Sequence, residues 1–212
     1  MLIKICGLTR QGDVDAAVKL GAGFCGFIFH PHSPRFISPE AAGELESGSM
    51  LRVGVFVTQD AKEILRIMDQ ARLDLAQLHG MQSIECAKEV GAERVIRVIW
   101  PDRYAHRALL YNEVQKYAGS CAYYLFDAGS SGGGSGQRLP WQDLYGLKRE
   151  HPFFLAGGLK AENVGQAIIS CDPEGVDFNS GIEDGPGLKN SLKMRAAIEA
   201  ALNAGSHQEK KS

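Results

Sequence analysis

Eight short β-rich runs recur along the chain, their starts spaced by roughly 20 to 30 residues, the length of one strand–loop–helix unit. They are "LIKIC" (2–6), "FCGFIF" (24–29), "LRVGVFV" (51–57) and "LAQLHG" (75–80), then "RVIRVIW" (94–100), "AYYLFDA" (122–128), "FFLAGG" (153–158) and "GVDFNS" (175–180). Several do not alternate apolar with polar residues, so they are apolar on both faces, as strands of a covered parallel sheet must be. Between them lie helix-like stretches, among them "GDVDAAVKLG", "SPEAAGELE", "DAKEILRIMDQA" and "SIECAKEVG", each opened by a capping residue or an early acid. The last, "LKNSLKMRAAIEAALNAG", reaches a glycine that can end it. This period predicts an α/β fold, a compact single-domain (β/α)8 TIM barrel over residues 1–204, with residues 205–212 a disordered polar tail. An open doubly wound sheet is built from the same units and stays as the alternative. A leucine-rich solenoid has a similar period, but its Leu/Asn skeleton is missing.

Composition narrows the partners. The 212 residues are 44% hydrophobic and 23% charged, with a formal net charge of −2. That balance carries no electrostatic footprint for nucleic acid or an anionic membrane. No apolar stretch is long enough to span a bilayer, and "MLIKICGLTR" lacks the long apolar centre of a signal peptide. Five scattered cysteines without a CxxC pair argue against disulfides and zinc and point to a reducing cytoplasm. Nothing in the chain identifies a protein partner.

In such a barrel, function collects at the C-terminal ends of the strands. Those ends offer Cys6, the "HPHSPR" loop, "TQD" after Val57, His79, Trp100 and Asp127, then "AGG" (156–158) and "NSG" (179–181). Gly157 and Gly158 precede a helix beginning near Ala161, and Ser180 and Gly181 precede a possible short helix. Glycines let backbone N–H groups approach an anion, and a helix N-terminus favours negative charge. Two such elements in consecutive units point to a phosphorylated small-molecule ligand. Asp127 stands before a loop in which five of nine residues are glycine and three serine, which reads as a mobile lid over residues 129–138. His30 and His32 form an HxH, but no further cluster supports a metal.

"KICGLTR", "GFIFHPHSPRFIS", "VGVFV", "LAQLHG", "FDAGSSGGGSGQRLPW", "FFLAGGLKAENV" and "GVDFNSGIEDGPGLKN" resemble, in order, the blocks of the phosphoribosylanthranilate isomerase family of tryptophan biosynthesis. The resemblance spans residues 2 to about 203. It departs at the glycine- and serine-rich lid, at Asn179, where a serine is common, and at Asn190, where an aspartate is common. It implies an Amadori rearrangement of N-(5-phosphoribosyl)anthranilate to 1-(2-carboxyphenylamino)-1-deoxyribulose 5-phosphate by general acid–base catalysis, with no cofactor and no metal.

On that resemblance Asp127 is the acid that protonates the ring oxygen, which requires its pKa to rise from about 3.9. Cys6 is the base that removes the C2′ proton, although a free thiol has a pKa of about 8.5. Lys4 shares the alternation parity of Cys6. Arg35 holds the anthranilate carboxylate through parallel donors, and Gly157, Gly158, Ser180 and Gly181 hold the phosphate. Gln77 and His79 either meet the ribose or satisfy one another, and Asp177 either meets substrate hydroxyls or anchors strand eight. Two other readings remain. A histidine-pathway aminoaldose isomerase would want an aspartate where Cys6 stands, and a ribulose-phosphate epimerase a metal set. A non-catalytic phosphate-binding barrel would have lost its acid or its base.

Overall fold

The computed structural model describes residues 1–127, 144, 147 and 151–209. Eight parallel strands close into a barrel in chain order, from β1 (Leu2–Ile5), β2 (Phe24–Ile28), β3 (Leu51–Phe56) and β4 (Leu75–Leu78) to β5 (Val95–Ile99), β6 (Tyr123–Asp127), β7 (Phe153–Ala156) and β8 (Gly175–Phe178). β8 pairs back onto β1, with Lys4 opposite Asp177. The ring is the barrel that the repeat predicts, and not an open sheet.

Seven α-helices lie among the described residues: α1 (Gln11–Lys19), α2 (Pro39–Glu44), α3 (Ala61–Gln70), α4 (Ile84–Val90), α5 (Arg107–Lys116), α6 (Ala161–Cys171) and α7 (Ser191–Glu209). Side-chain caps open α2, α3 and α4, and Asn190 caps α7 by accepting from Leu192 N and Lys193 N. Ser38, Asp60 and Ser83 accept from the backbone N–H groups of Ala41, Glu63 and Cys86. α7 runs through Gly205 to Glu209, past the glycine expected to end it. Gly205 lies against Met1, where a Cβ would sit 3.0 Å from the Met1 Cβ, so this glycine serves a close contact with the first residue. The polar tail is thus helical as far as Glu209. Among the described residues no helix is long and apolar enough to cross a membrane.

Alternation along each strand sorts the side chains into two cores. Outward residues such as Ile3, Ile5, Phe27, Phe126 and Phe178 pack under the helices. Inward residues fill the barrel floor, where Phe24 meets Phe154 edge-on at 5.1 Å and Tyr123 packs against both. Arg52 is polar yet buried on an outer face. Its guanidinium donates to the carbonyls of Ala42 and Ala71, binding the C-terminal ends of α2 and α3 to β3. Above the floor, the same inward parity turns polar, and that change defines the mouth.

Candidate active site

Lys4 and Cys6 are two residues apart on one strand, so both face the lumen. Lys4 is fully buried and donates to Asp177 Oδ2 at 2.9 Å, a pairing fixed by the β1–β8 register. Gly26 on β2 makes the room. A Cβ there would lie 2.9 Å from Cys6 Sγ and 3.2 Å from Lys4 Nζ, which places thiol and ammonium against the same glycine. Burial pushes the Cys6 thiol above its usual pKa, Lys4 and Lys189 pull it down, and Asp177 pushes it up; the balance is upward. The structure thus supplies the reach that parity alone left open for Lys4. It also ties Asp177 Oδ2 to Lys4, while the buried Oδ1 has no hydrogen-bond partner among the described residues.

Gly7, at φ 72°, turns the chain out of β1 against two further residues. A Cβ on it would meet Arg35 Cδ at 2.7 Å and Asn179 Oδ1 at 2.9 Å. Arg35 is not a solvated loop arginine. Its Nε donates to Glu183 Oε1 at 2.9 Å and its Nη2 to Oε2 at 2.6 Å. Glu183 also accepts from Lys189 Nζ at 2.7 Å, and Lys189 in turn donates to Asn179 Oδ1 at 2.8 Å. Glu183 and Lys189 sit on a short antiparallel hairpin, β9 (Glu183–Gly185) and β10 (Leu188–Lys189), beyond a single 3-10 turn at Ser180–Ile182. Sequence reading missed this hairpin and its two charges. The signal was "EDGPGLK", a turn-forming D-G-P-G between alternating ends.

Across the mouth, Asp127 ends β6 and His79 Nε2 lies 3.9 Å from its Oδ2. Gln77 Nε2 approaches His79 Nδ1 at 3.1 Å, and His79 packs edge-on against Trp100. Gln77 and His79 therefore bond to one another, while Gln77 Oε1 is buried without a partner among the described residues. Burial, with Lys4 adding to it, lowers the His79 pKa to about 4. The ring is neutral at pH 7, with Nδ1 on the Gln77 side and Nε2 on the Asp127 side.

A histidine held neutral by the fold contributes stability above its unfolded pKa, and that stability is lost as pH falls from about 6.5 toward 4. Wild type should accordingly lose on the order of 2 kcal/mol more than His79→Gln between pH 7 and pH 4.5, by urea denaturation at each pH. Equal losses would show that His79 is not held neutral.

Gly157 and Gly158 adopt φ 97° and 64°, two consecutive left-handed positions open only to residues like glycine. The Asn163 side chain ties this loop to α6, accepting from Lys160 N at 2.8 Å and donating to the Gly158 carbonyl at 3.0 Å. Gly181 packs on the same loop, and a Cβ there would fall 2.0 Å from the Leu159 carbonyl oxygen. The two glycine elements of the sequence are therefore neighbours in space. His30 and His32 stack edge-on at 5.5 Å, and among the described residues no group of three or more His, Cys, Asp or Glu could hold a metal. The lid expected over residues 129–138 lies outside the described residues.

A sequence profile for N-(5′-phosphoribosyl)anthranilate (PRA) isomerase matches residues 3–200. The chain belongs to that family. The N-(5′-phosphoribosyl)anthranilate isomerase of Desulfovibrio desulfuricans is 67% identical over 201 residues, covering 95% of each chain. That of Maridesulfovibrio salexigens is 42% identical over 200 residues, 94% of this chain and 98% of the relative. The solved phosphoribosyl anthranilate isomerase of Thermotoga maritima superimposes with a TM-score of 0.85 at 30% identity, over 96% of this chain and 99% of its own. A second solved member, in complex with reduced 1-(o-carboxyphenylamino)-1-deoxyribulose 5-phosphate, gives 0.81 at 31% identity over 96% and 100%. The chain is thus a PRA isomerase, a TIM-barrel enzyme of tryptophan biosynthesis.

Proposed function

We propose that Cys6 and Asp127 are the base and acid by which this chain rearranges N-(5′-phosphoribosyl)anthranilate to the deoxyribulose phosphate. The observation that carries this reading is their placement. Cys6 directly follows β1 and Asp127 ends β6, so β7 and β8 separate them on one side of the ring and four strands on the other. A ribose lying across the mouth meets them on different sides, as the chemistry requires. Asp127 gives its proton to the ring oxygen as the furanose opens to the iminium. The Cys6 thiolate then takes the C2′ proton, leaving the enolamine that tautomerises to product.

Neighbours support both roles. Asp127 and Asp177 repel electrostatically, a repulsion that Asp127 relieves when it is protonated and ready to donate. Lys4 and Lys189 oppose the desolvation of the Cys6 thiolate. Arg35 presents its Nε–Nη2 edge to Glu183, which fixes the guanidinium plane and leaves Nη1 as the donor for the anthranilate carboxylate. Backbone N–H groups of Gly157, Gly158, Ser180 and Gly181 take the phosphate, between a glycine turn and the start of α6.

The test is turnover of N-(5′-phosphoribosyl)anthranilate, made in situ and followed by loss of its fluorescence. Folded wild type without activity would overturn the reading. Arg35→Lys keeps the charge but loses the planar fork, and should raise KM about tenfold or more with a smaller change in kcat. Gly181→Ala forces the two glycine loops apart, and should likewise raise KM for the phosphorylated substrate about tenfold. An unchanged KM in either variant removes that contact from the proposal.

A further inference from the structure

The hairpin behind β8 carries two charges beside a site that already has an acid and a base. Lys189 projects a side chain that is fully buried, an arrangement that is costly unless the ammonium is bonded. It has three such bonds, to Glu183 Oε1 at 2.7 Å, Asn179 Oδ1 at 2.8 Å and the Asn179 carbonyl at 3.2 Å. Asn179 touches Gly7, the residue after Cys6, and Cys6 N donates to the carbonyl of the preceding Phe178 at 2.8 Å. The ammonium is thereby fixed next to the β1–β8 edge on which the thiol sits.

The charges facing Cys6 are Lys4 from β1, Asp177 from β8, Arg35 from the loop after β2 and Lys189 from β10, with Glu183 of β9 bonded to the last two. Lys4 is already neutralised by Asp177. In this bonded cluster three cations face two carboxylates, so one positive charge remains that a thiolate would balance. We infer that Lys189 is a positioning residue for the reaction, its ammonium clamped by Glu183 and Asn179 so that it stabilises the thiolate form of Cys6. This rests on the reading of Cys6 as the base. Asn179 gives the clamp a side-chain oxygen acceptor for Lys189.

The test is a titration of Cys6 by NMR in protein with 13Cβ-labelled cysteine, its resonance assigned by its loss in Cys6→Ala. Lys189→Met should move the Cys6 midpoint up by about one pH unit or more, whereas Lys189→Arg should leave it near wild type. Glu183→Gln should move it down, because it removes a negative charge from the same cluster. A merely structural role gives no such pair of opposite shifts. In turnover, Lys189→Met should lose about tenfold at pH 7 and recover part of it at higher pH. A Cys6 midpoint unchanged in folded Lys189→Met, or shifts of one sign in both variants, would overturn the inference. If Lys189→Met does not fold, an unmoved or raised midpoint in Glu183→Gln overturns it. Should Cys6→Ala retain wild-type turnover, the base assignment fails, while the titration still decides what Lys189 does to the thiol.

Discussion

Cys6→Ala and Asp127→Asn are each expected to lower kcat by about 10²- to 10⁴-fold, with KM changed by only a few-fold. Neither side chain is the one expected to hold the carboxylate or the phosphate, so substrate should still bind. What is lost is a proton transfer on one side of the sugar. Cys6→Ala removes little packing, since the residue belongs to a small inward cluster with Ile28 and Val55. Asp127→Asn keeps the shape and the contact distance to His79 and loses only the acid. The pH profile separates the two roles. A base must be deprotonated, so activity rises with pH through the Cys6 titration, and burial places that limb on the alkaline side of the ordinary thiol. An acid must be protonated, so activity falls as pH rises through the Asp127 titration. Each limb should vanish with its own residue. The double variant should be less impaired than the product of the single losses, because the two groups serve one reaction. A variant within threefold of wild-type kcat would remove its residue from the mechanism.

Lys4→Met should destabilise the barrel by about 3–5 kcal/mol, a large share of the 5–15 kcal/mol typical of a domain. Methionine fills much the same volume, so the loss is electrostatic. Asp177 would be left as a carboxylate buried in the barrel without its counter-charge. Desolvation already pushes its pKa up, and Lys4 and Lys189 are what oppose it. Without Lys4 the folded-state pKa rises further. A raised carboxylate contributes stability below its unfolded pKa and loses it as pH rises through the folded value. The deficit of Lys4→Met should therefore be largest at neutral pH and shrink toward pH 4. Lys4→Met with Asp177→Asn should recover much of the loss, since removing both charges costs less than stranding one. Urea denaturation of the four proteins checks this, and a Lys4→Met deficit below about 1 kcal/mol would mean that the pair is solvated.

The strands were legible because each is a run of apolar residues, and their parity was legible with them. Cys6, Gln77, His79, Asp127 and Asp177 all fall on the inward set of their strands, so the mouth could be listed strand by strand before any coordinate was known. What could not be read was which of these meet. Lys4 and Asp177 are 173 residues apart and become neighbours only because the ring closes with that register. Helix α5 carries no side-chain cap and no acid in its first turn, which left "RALLYNEVQK" unmarked. The sequence marks Arg35 as a substrate anchor but hides its partner Glu183, since a charge on a three-residue strand looks like any solvated loop acid. The same holds for Asn190. Its amide donates to both oxygens of Asp184 and its carbonyl oxygen accepts from Leu192 N, so it serves as the cap of α7. An aspartate there would set two carboxylates face to face.

The ion pair between Lys4 and Asp177 also bears on how the chain is made. β1 leaves the ribosome before the other seven barrel strands, and its lysine lacks the Asp177 counter-charge until β8 has been synthesised. Bringing the two together closes a loop of most of the chain, the costliest closure in the ring. Asn179, Glu183 and Lys189 follow only a few residues after Asp177. A truncated nascent chain thus contains the thiol and Lys4 from the outset but lacks Asp177 and Lys189. The final unit brings Asp177 and Lys189 to the thiol, and the same docking pairs Lys4 with Asp177. Completion of the ring and assembly of the full charge set around Cys6 are one event.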